Sequence, residues 1–170
     1  MKKVKIIALI LAIAMALILF TACDTDQNEN GKELPEFSIE VVDGESTFEL
    51  TQDDVKELEL HKFAVESKDE IFYYQGFKIP DVLNAISELD VEGITSLKAV
   101  ASDGFGENLD PMPEADFENA YLAIFYSETE DGEFEFLVED NGPVRLYNTT
   151  EGAPKKGNIS QVAKLIINRD

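Results

Sequence analysis

The stretch YLAIFY at residues 121–126 contains six consecutive apolar side chains. A strand that is buried on both faces has a continuous apolar run instead of an alternating one. We therefore expect this stretch to be the central strand of a β-sheet. Other strands are expected around it, at residues 37–41, 47–50, 61–67, 70–74, 97–101, 134–137, 144–147 and 162–167. Tight turns are expected at Asp43-Gly44 and at Lys68-Asp69, between consecutive strands.

Few segments of the chain favour helices. Thr51 is placed to cap a short helix that continues through Leu58, since two aspartates fall in its first turn. A clearer helix is expected after Lys78, because Pro80 lies in its first turn and apolar residues follow at helical spacing. Residues 115–119 favour a single helical turn. The predicted fold class is α+β, in one domain dominated by strands.

The amino-terminal region has the pattern of a secretory signal peptide. Three early lysines precede fifteen apolar residues at positions 6–20, and small residues then lead to Cys23. A membrane-spanning helix needs roughly 20 apolar residues, so this run is short for one. The segment FTAC at residues 20–23 resembles the lipobox of bacterial lipoproteins, although Phe20 stands where leucine is usual.

The resemblance to a lipobox implies that Cys23 carries a lipid and that the mature chain is tethered to the extracytoplasmic face of a membrane. An ordinary signal peptide or an uncleaved anchor is the alternative. We expect a signal peptide at residues 1–22, a polar acidic linker at 23–36 and the folded domain at 37–170.

The charge of the chain limits its partners. The formal net charge is −21, and removal of the three leader lysines would make it −24. Such a charge repels nucleic acid phosphates, so we expect no nucleic-acid partner. Cys23 is the single cysteine, and with Cys23 lipidated no thiol remains for a disulfide, for catalysis or for a metal.

Several short segments occur in an order found in a known family. They are YQGFKIPDVL at residues 74–83, ASDGF at 101–105, YLAIF at 121–125, NGPVRL at 141–146 and VAKLII at 162–167. This succession resembles the molybdopterin-binding domain of the sulfite oxidase family of oxidoreductases. The resemblance spans about residues 37–168 and implies that family's strand-rich fold.

The chain departs from that family at its metal ligand. The family binds molybdenum through a cysteine thiolate, but the corresponding stretch at residues 61–70 reads HKFAVESKDE. Ser67 stands near the place of the thiolate, and a hydroxyl is a poor replacement for a soft sulfur ligand. The family also holds its anionic cofactor with several Arg and His side chains, whereas this chain has two arginines and one histidine. We therefore expect no cofactor, and molybdopterin is the disfavoured possibility.

Three residues are candidates for binding a ligand: Arg145, Asp103 and Ser67. Arg145 lies in the family-like segment and could hold an anion, or else neutralise Glu139 and Asp140. Asp103 opens a loop rich in glycine and carboxylates, which could bind calcium or merely turn the chain. We expect no catalytic residue and no metal ligand set.

Aromatic residues could line a ligand cavity or simply form core. They are Tyr73, Tyr74, Phe77, Phe105, Tyr121, Phe125 and Tyr126.

The sequence as a whole predicts a lipid-anchored module that binds a small molecule or a protein partner without catalysis. A pterin-binding oxidoreductase or electron-transfer subunit is one alternative. An acidic surface protein that binds basic partners is another.

Overall fold

The computed structural model describes residues 33–137 and 142–170. The strands are β1 (Ser38–Asp43), β2 (Ser46–Thr51), β3 (His61–Ser67), β4 (Glu70–Lys78), β5 (Ser96–Ala101), β6 (Met112–Pro113), β7 (Ala120–Ser127), β8 (Glu135–Phe136), β9 (Arg145–Asn148) and β10 (Val162–Asn168). The α-helices are α1 (Gln52–Val55) and α2 (Ile79–Ala85), and two 3-10 helices cover Glu114–Asn119 and Lys155–Gly157. The strand-rich α+β class is therefore as expected.

The first sheet has the strand order β2-β1-β10-β5-β6. β1 pairs in parallel with β10, with Val41 opposite Leu165, and the other pairs are antiparallel. The turn predicted at Asp43 joins β1 to β2, and Gly44 adopts the left-handed conformation there with φ of 61°. The carboxyl-terminal strand thus lies in the middle of this sheet.

The second sheet has the order β3-β4-β7-β8, and β9 also pairs with β7. Its middle strand β7 contains the predicted central strand, and Leu122, Ile124 and Phe125 are at most 1 % exposed. Lys68 and Asp69 form the tight turn between β3 and β4, both with positive φ. The expectation from YLAIFY is confirmed, because this strand has paired neighbours on both sides.

One large core takes side chains from both sheets and from α2. Its fully buried members include Phe77, Leu97, Leu122 and Leu165. Burial of each such side chain contributes roughly 1.5–3 kcal/mol to stability. This core holds the two sheets together and so fixes the surfaces on which ligands could bind.

One local expectation differs from the structure. The helix capped by Thr51 ends at Val55 instead of Leu58, although Asp54 Oδ2 accepts from the Thr51 amide and hydroxyl as a capping residue should. The last strand, in contrast, begins at Val162 as expected. Gln161 has φ of 49°, and this left-handed residue interrupts the extended backbone.

In the part of the chain that is described, no helix has both the length and the apolar character needed to cross a membrane. Cys23, the predicted leader and most of the predicted linker lie outside the described residues.

Candidate functional site

The second sheet carries a cavity of about 360 Å³ on the face opposite the main core. We call it the tyrosine cavity. It is lined by Val65, Glu66, Ser67, Phe72, Tyr74, Tyr126, Leu137, Arg145, Tyr147, Lys155 and Asn158. Its volume falls in the range of about 300–1,000 Å³ that is usual for small-molecule sites.

Strand register brings these side chains to one face. Residues directly opposite each other in antiparallel strands project to the same side of a sheet. Tyr74 on β4 is opposite Phe63 on β3 and Tyr126 on β7. On the other side of β7, Tyr121 is opposite Tyr147. The result is a layer of aromatic rings contributed by four neighbouring strands.

The rings of this layer are in direct contact. Phe63 stacks on Tyr121 with ring centroids 4.3 Å apart and an interplanar angle of 14°. Tyr74 and Tyr147 lie 4.5 Å apart, and the edge of Tyr147 meets Phe63 at 5.8 Å. Such contacts fix the ring orientations, so the cavity has a rigid wall of mutually inclined aromatic rings.

Arg145 lies against this wall. Its guanidinium carbon is 4.7 Å from the ring centre of Tyr147, which is the geometry of a cation–π contact. Tyr147 is 2 % exposed, and its burial, together with a hydrogen bond to Tyr74, raises the pKa of the Tyr147 phenol well above its ordinary value. The positive charge of Arg145 opposes this rise in part. Tyr147 is therefore neutral at physiological pH, and the cavity keeps the positive charge of Arg145.

A second cation reaches the cavity from the 3-10 helix Lys155–Gly157. Lys155 Nζ donates to the backbone carbonyl of Glu66 at 3.3 Å, which holds the ammonium beside the end of β3. Glu66 is the one carboxylate among the described lining residues, against the two cations Arg145 and Lys155. The described wall is therefore net positive in a strongly acidic chain, which favours an anionic ligand.

The structure brings together two of the three predicted ligand-binding residues. Ser67, at the end of β3, and Arg145, at the start of β9, both line the tyrosine cavity although 78 positions separate them in the chain. Asp103 lines neither this cavity nor the other one described below. Its Oδ1 accepts from the Phe105 amide at 2.9 Å, so it shapes its own exposed loop. Glu139 and Asp140, the alternative partners expected for Arg145, lie outside the described residues.

The predicted aromatic residues divide between the cavity and other places. Tyr74 and Tyr126 line the cavity, and Tyr121 supports its wall. Phe77 and Phe125 are buried in the main core. Phe105 is 52 % exposed.

Sequence reasoning did not single out Tyr147, Lys155 or Asn158. The alternation in the short strand RLYN could have indicated Tyr147, because side chains two positions apart in a strand share a face and Arg145 was already a candidate. Lys155 begins a short 3-10 helix and Asn158 directly follows that helix, and no sequence pattern places such residues beside a strand about 90 positions earlier.

The lining residues suit some parts of a molybdopterin and not others. Arg145, Lys155 and the tyrosines could hold an anionic group and a flat ring. Among the described lining residues, β3 contributes the hydroxyl-bearing side chain of Ser67, and none of them carries a thiol that could bind molybdenum. The described residues also contain no group of three or more His, Cys, Asp or Glu that could hold a metal ion. The donor set thus fits an organic anion and does not fit a molybdenum centre.

Comparison with protein-family models and with curated proteins found no match to this chain.

Proposed function

We propose that this chain is an extracytoplasmic lipoprotein, anchored through a lipid on Cys23, whose domain binds a small organic anion without catalysis. The observation that carries the binding function is the meeting of Ser67, Arg145 and Lys155 at one aromatic-walled cavity. The sulfite-oxidase-like fold remains part of this proposal, with the scaffold retained and the metal ligand lost. Anchoring rests on the sequence pattern before Cys23.

The chemistry of the wall indicates the class of ligand. A flat ring would pack against the partly exposed rings of Tyr74 and Tyr126, and an anionic group on the same molecule would take hydrogen bonds from Arg145 and Lys155. Hydrogen bonds between charged groups are roughly twice as strong as neutral ones. The preferred ligand is therefore a ring-bearing carboxylate or phosphate of modest size.

Binding can be tested with pterin-6-carboxylate, a flat ring with one carboxylate that fluoresces by itself. The full-length chain in detergent should bind it with a Kd below about 1 mM, the weak limit of specific association. Unsubstituted pterin, which lacks the carboxylate, should bind at least about tenfold more weakly, because one charge-assisted hydrogen bond contributes at least about 1.5 kcal/mol.

Three variants locate the bound probe. Arg145→Gln and Lys155→Gln should each weaken binding of the carboxylate. Lys164→Gln is the matched control, since Lys164 lies on the first sheet and pairs with Glu40 at 3.2 Å. Equal binding of the two pterins, or equal losses in all three variants, would refute the proposed site.

A further inference from the structure

A second cavity lies where β5 of the first sheet approaches β9 of the second. Its volume is about 400 Å³, and we call it the carboxylate cavity. It is lined by Leu97, Lys98, Ala99, Gly106, Leu109, Asp110, Pro111, Met112, Pro113, Asp116, Leu146, Asn148, Thr150, Glu151, Gly152, Ala153, Pro154, Gly157 and Ile159. Nothing in the proposed function uses it.

The floor of the carboxylate cavity is apolar. Leu97 on β5 and Leu146 on β9 are at most 2 % exposed, and Ile159 beside them is equally buried. Leu109 and Met112 are partly buried against the same core. This floor would shield the hydrocarbon part of a ligand from water, with a gain of roughly 25 cal/mol for each Å² buried.

The charged residues of the carboxylate cavity are mainly acidic. Asp110, Asp116 and Glu151 line it, and its one lysine, Lys98, donates its ammonium to the backbone carbonyl of Glu107 at 3.1 Å. The described lining is net negative, because it has three carboxylates and one ammonium group, and that ammonium group is already hydrogen-bonded. A cation is therefore the complementary ligand.

One of these carboxylates is held in place before any ligand binds. Asp116 Oδ2 accepts from the side-chain amide of Asn148 at 2.8 Å. Asn148 is itself fixed, because its backbone amide donates to Asn158 Oδ1 at 3.0 Å and its side-chain oxygen accepts from the Thr150 amide at 3.0 Å. A preorganised acceptor costs less to order on binding. Asp116 is thus the best-defined anchor for a ligand in this cavity.

β9 forms a shared wall between the two cavities. Successive side chains of a strand point to opposite faces. Arg145 and Tyr147 accordingly line the tyrosine cavity, whereas Leu146 and Asn148 line the carboxylate cavity. The two sites are therefore adjacent, but they have opposite charge and do not share the side chains of this strand.

We propose that the carboxylate cavity binds a small organic cation, an ammonium or guanidinium group carried on an apolar body. The apolar floor favours a ligand with an apolar body. The preorganised Asp116, together with Asp110 and Glu151, favours a positively charged group on that ligand. A bare metal ion does not suit the cavity, because the described residues contain no group of three or more potential ligands that could coordinate one. This proposal is independent of the ligand of the tyrosine cavity.

The test uses phenethylamine as the cation and the full-length chain in detergent. Phenethyl alcohol, which has the same body without the charge, and 3-phenylpropionate, which reverses the charge, are matched probes. Phenethylamine should bind with a Kd below about 1 mM, and the other two should bind at least about tenfold more weakly, as expected for loss of one charge-assisted hydrogen bond.

Two variants and two controls place the cation. Asp116→Asn should weaken binding of phenethylamine about tenfold. Asp110→Asn removes the charge of a second lining carboxylate and should also weaken binding of phenethylamine. Glu88→Gln removes an exposed carboxylate outside the cavity, and Arg145→Gln alters the other cavity; both should leave binding unchanged.

The proposal is overturned if no binding of phenethylamine is detected up to about 1 mM. It is also overturned if the alcohol binds as well as the amine, or if Asp116→Asn binds the amine normally. Because Arg145→Gln separates the two cavities, failure here leaves the result for the tyrosine cavity unaffected.

Discussion

Replacement of Tyr147 by phenylalanine should make the protein less sensitive to alkaline unfolding. The buried Tyr147 phenol has a pKa raised above its ordinary value of 10.0, chiefly because burial disfavours its charged form. In the unfolded chain the same group ionises near that ordinary value. Above it, the unfolded state has lost a proton that the folded state still holds, so the free energy of unfolding falls as the pH rises.

The size of the effect follows from proton linkage. Stability from Tyr147 is fully present below about pH 10 and is lost by about 1.4 kcal/mol for each further pH unit. At about pH 11 the wild-type protein should therefore have lost about 1.4 kcal/mol through this one residue. The Tyr147→Phe variant has no phenol at this position, so its unfolding free energy should not fall for this reason. The variant also lacks the hydrogen bond to Tyr74 at every pH, which costs roughly 0.5–1.5 kcal/mol.

Urea unfolding of each protein at about pH 9 and about pH 11 measures the effect. The quantity to compare is the drop in unfolding free energy between the two pH values, because general charge repulsion contributes equally to all variants. Tyr73→Phe is the control: Tyr73 projects to the opposite face of β4, and this variant keeps Tyr147. If the unfolding free energies of wild type and Tyr147→Phe fall by the same amount between the two pH values, the conclusion that the Tyr147 phenol has a raised pKa in the folded protein is refuted.

Four other outcomes are expected. Gly76→Ala should cost at least about 2 kcal/mol, measured as a fall in Tm, because its Cβ would lie 2.5 Å from a carbonyl oxygen of β7; Gly157→Ala, with open space around it, should cost far less. Asp43→Asn should destabilise the protein at neutral pH, since Arg169 holds Asp43 with two hydrogen bonds and lowers the pKa of its carboxyl. The difference in unfolding free energy between this variant and wild type should disappear when the pH is lowered below that pKa, because the wild-type carboxyl is then protonated. Cys23→Ser should move the chain from the membrane fraction to the soluble fraction, and an unchanged distribution would contradict the lipid anchor. Metal analysis of the purified chain should find no stoichiometric molybdenum, and finding it would contradict the loss of that centre.

The sequence predicted those parts of the fold that depend on local patterns. The run YLAIFY indicated a central strand because burial on both faces leaves no polar positions, and β7 is central. Pro80 marked the start of α2 because it lacks an amide that the first helical turn does not need. Turns at Asp43 and Lys68 were predicted from their turn-forming residues, and both join adjacent antiparallel strands.

Long-range pairing was not predicted, because it depends on contacts that no short window contains. The parallel pairing of β1 with β10 brings Val41 beside Leu165, more than 120 positions later. The two-residue strand β6 is too short to show an alternation. The same limit applies to the candidate site: Ser67 and Arg145 were chosen separately, and only tertiary structure places them with Lys155 at one cavity.

The central claim is that a ring-bearing anion lies in the tyrosine cavity against the rings of Tyr74 and Tyr126. Nuclear Overhauser effects between bound pterin-6-carboxylate and the full-length chain with selectively labelled tyrosine and methionine measure this contact directly. Transfer from the pterin ring proton to the ring protons of Tyr74 and Tyr126, lost in Arg145→Gln, is the predicted result. Transfer to the methyl group of Met112 in the carboxylate cavity, or no transfer to either tyrosine, would contradict the account.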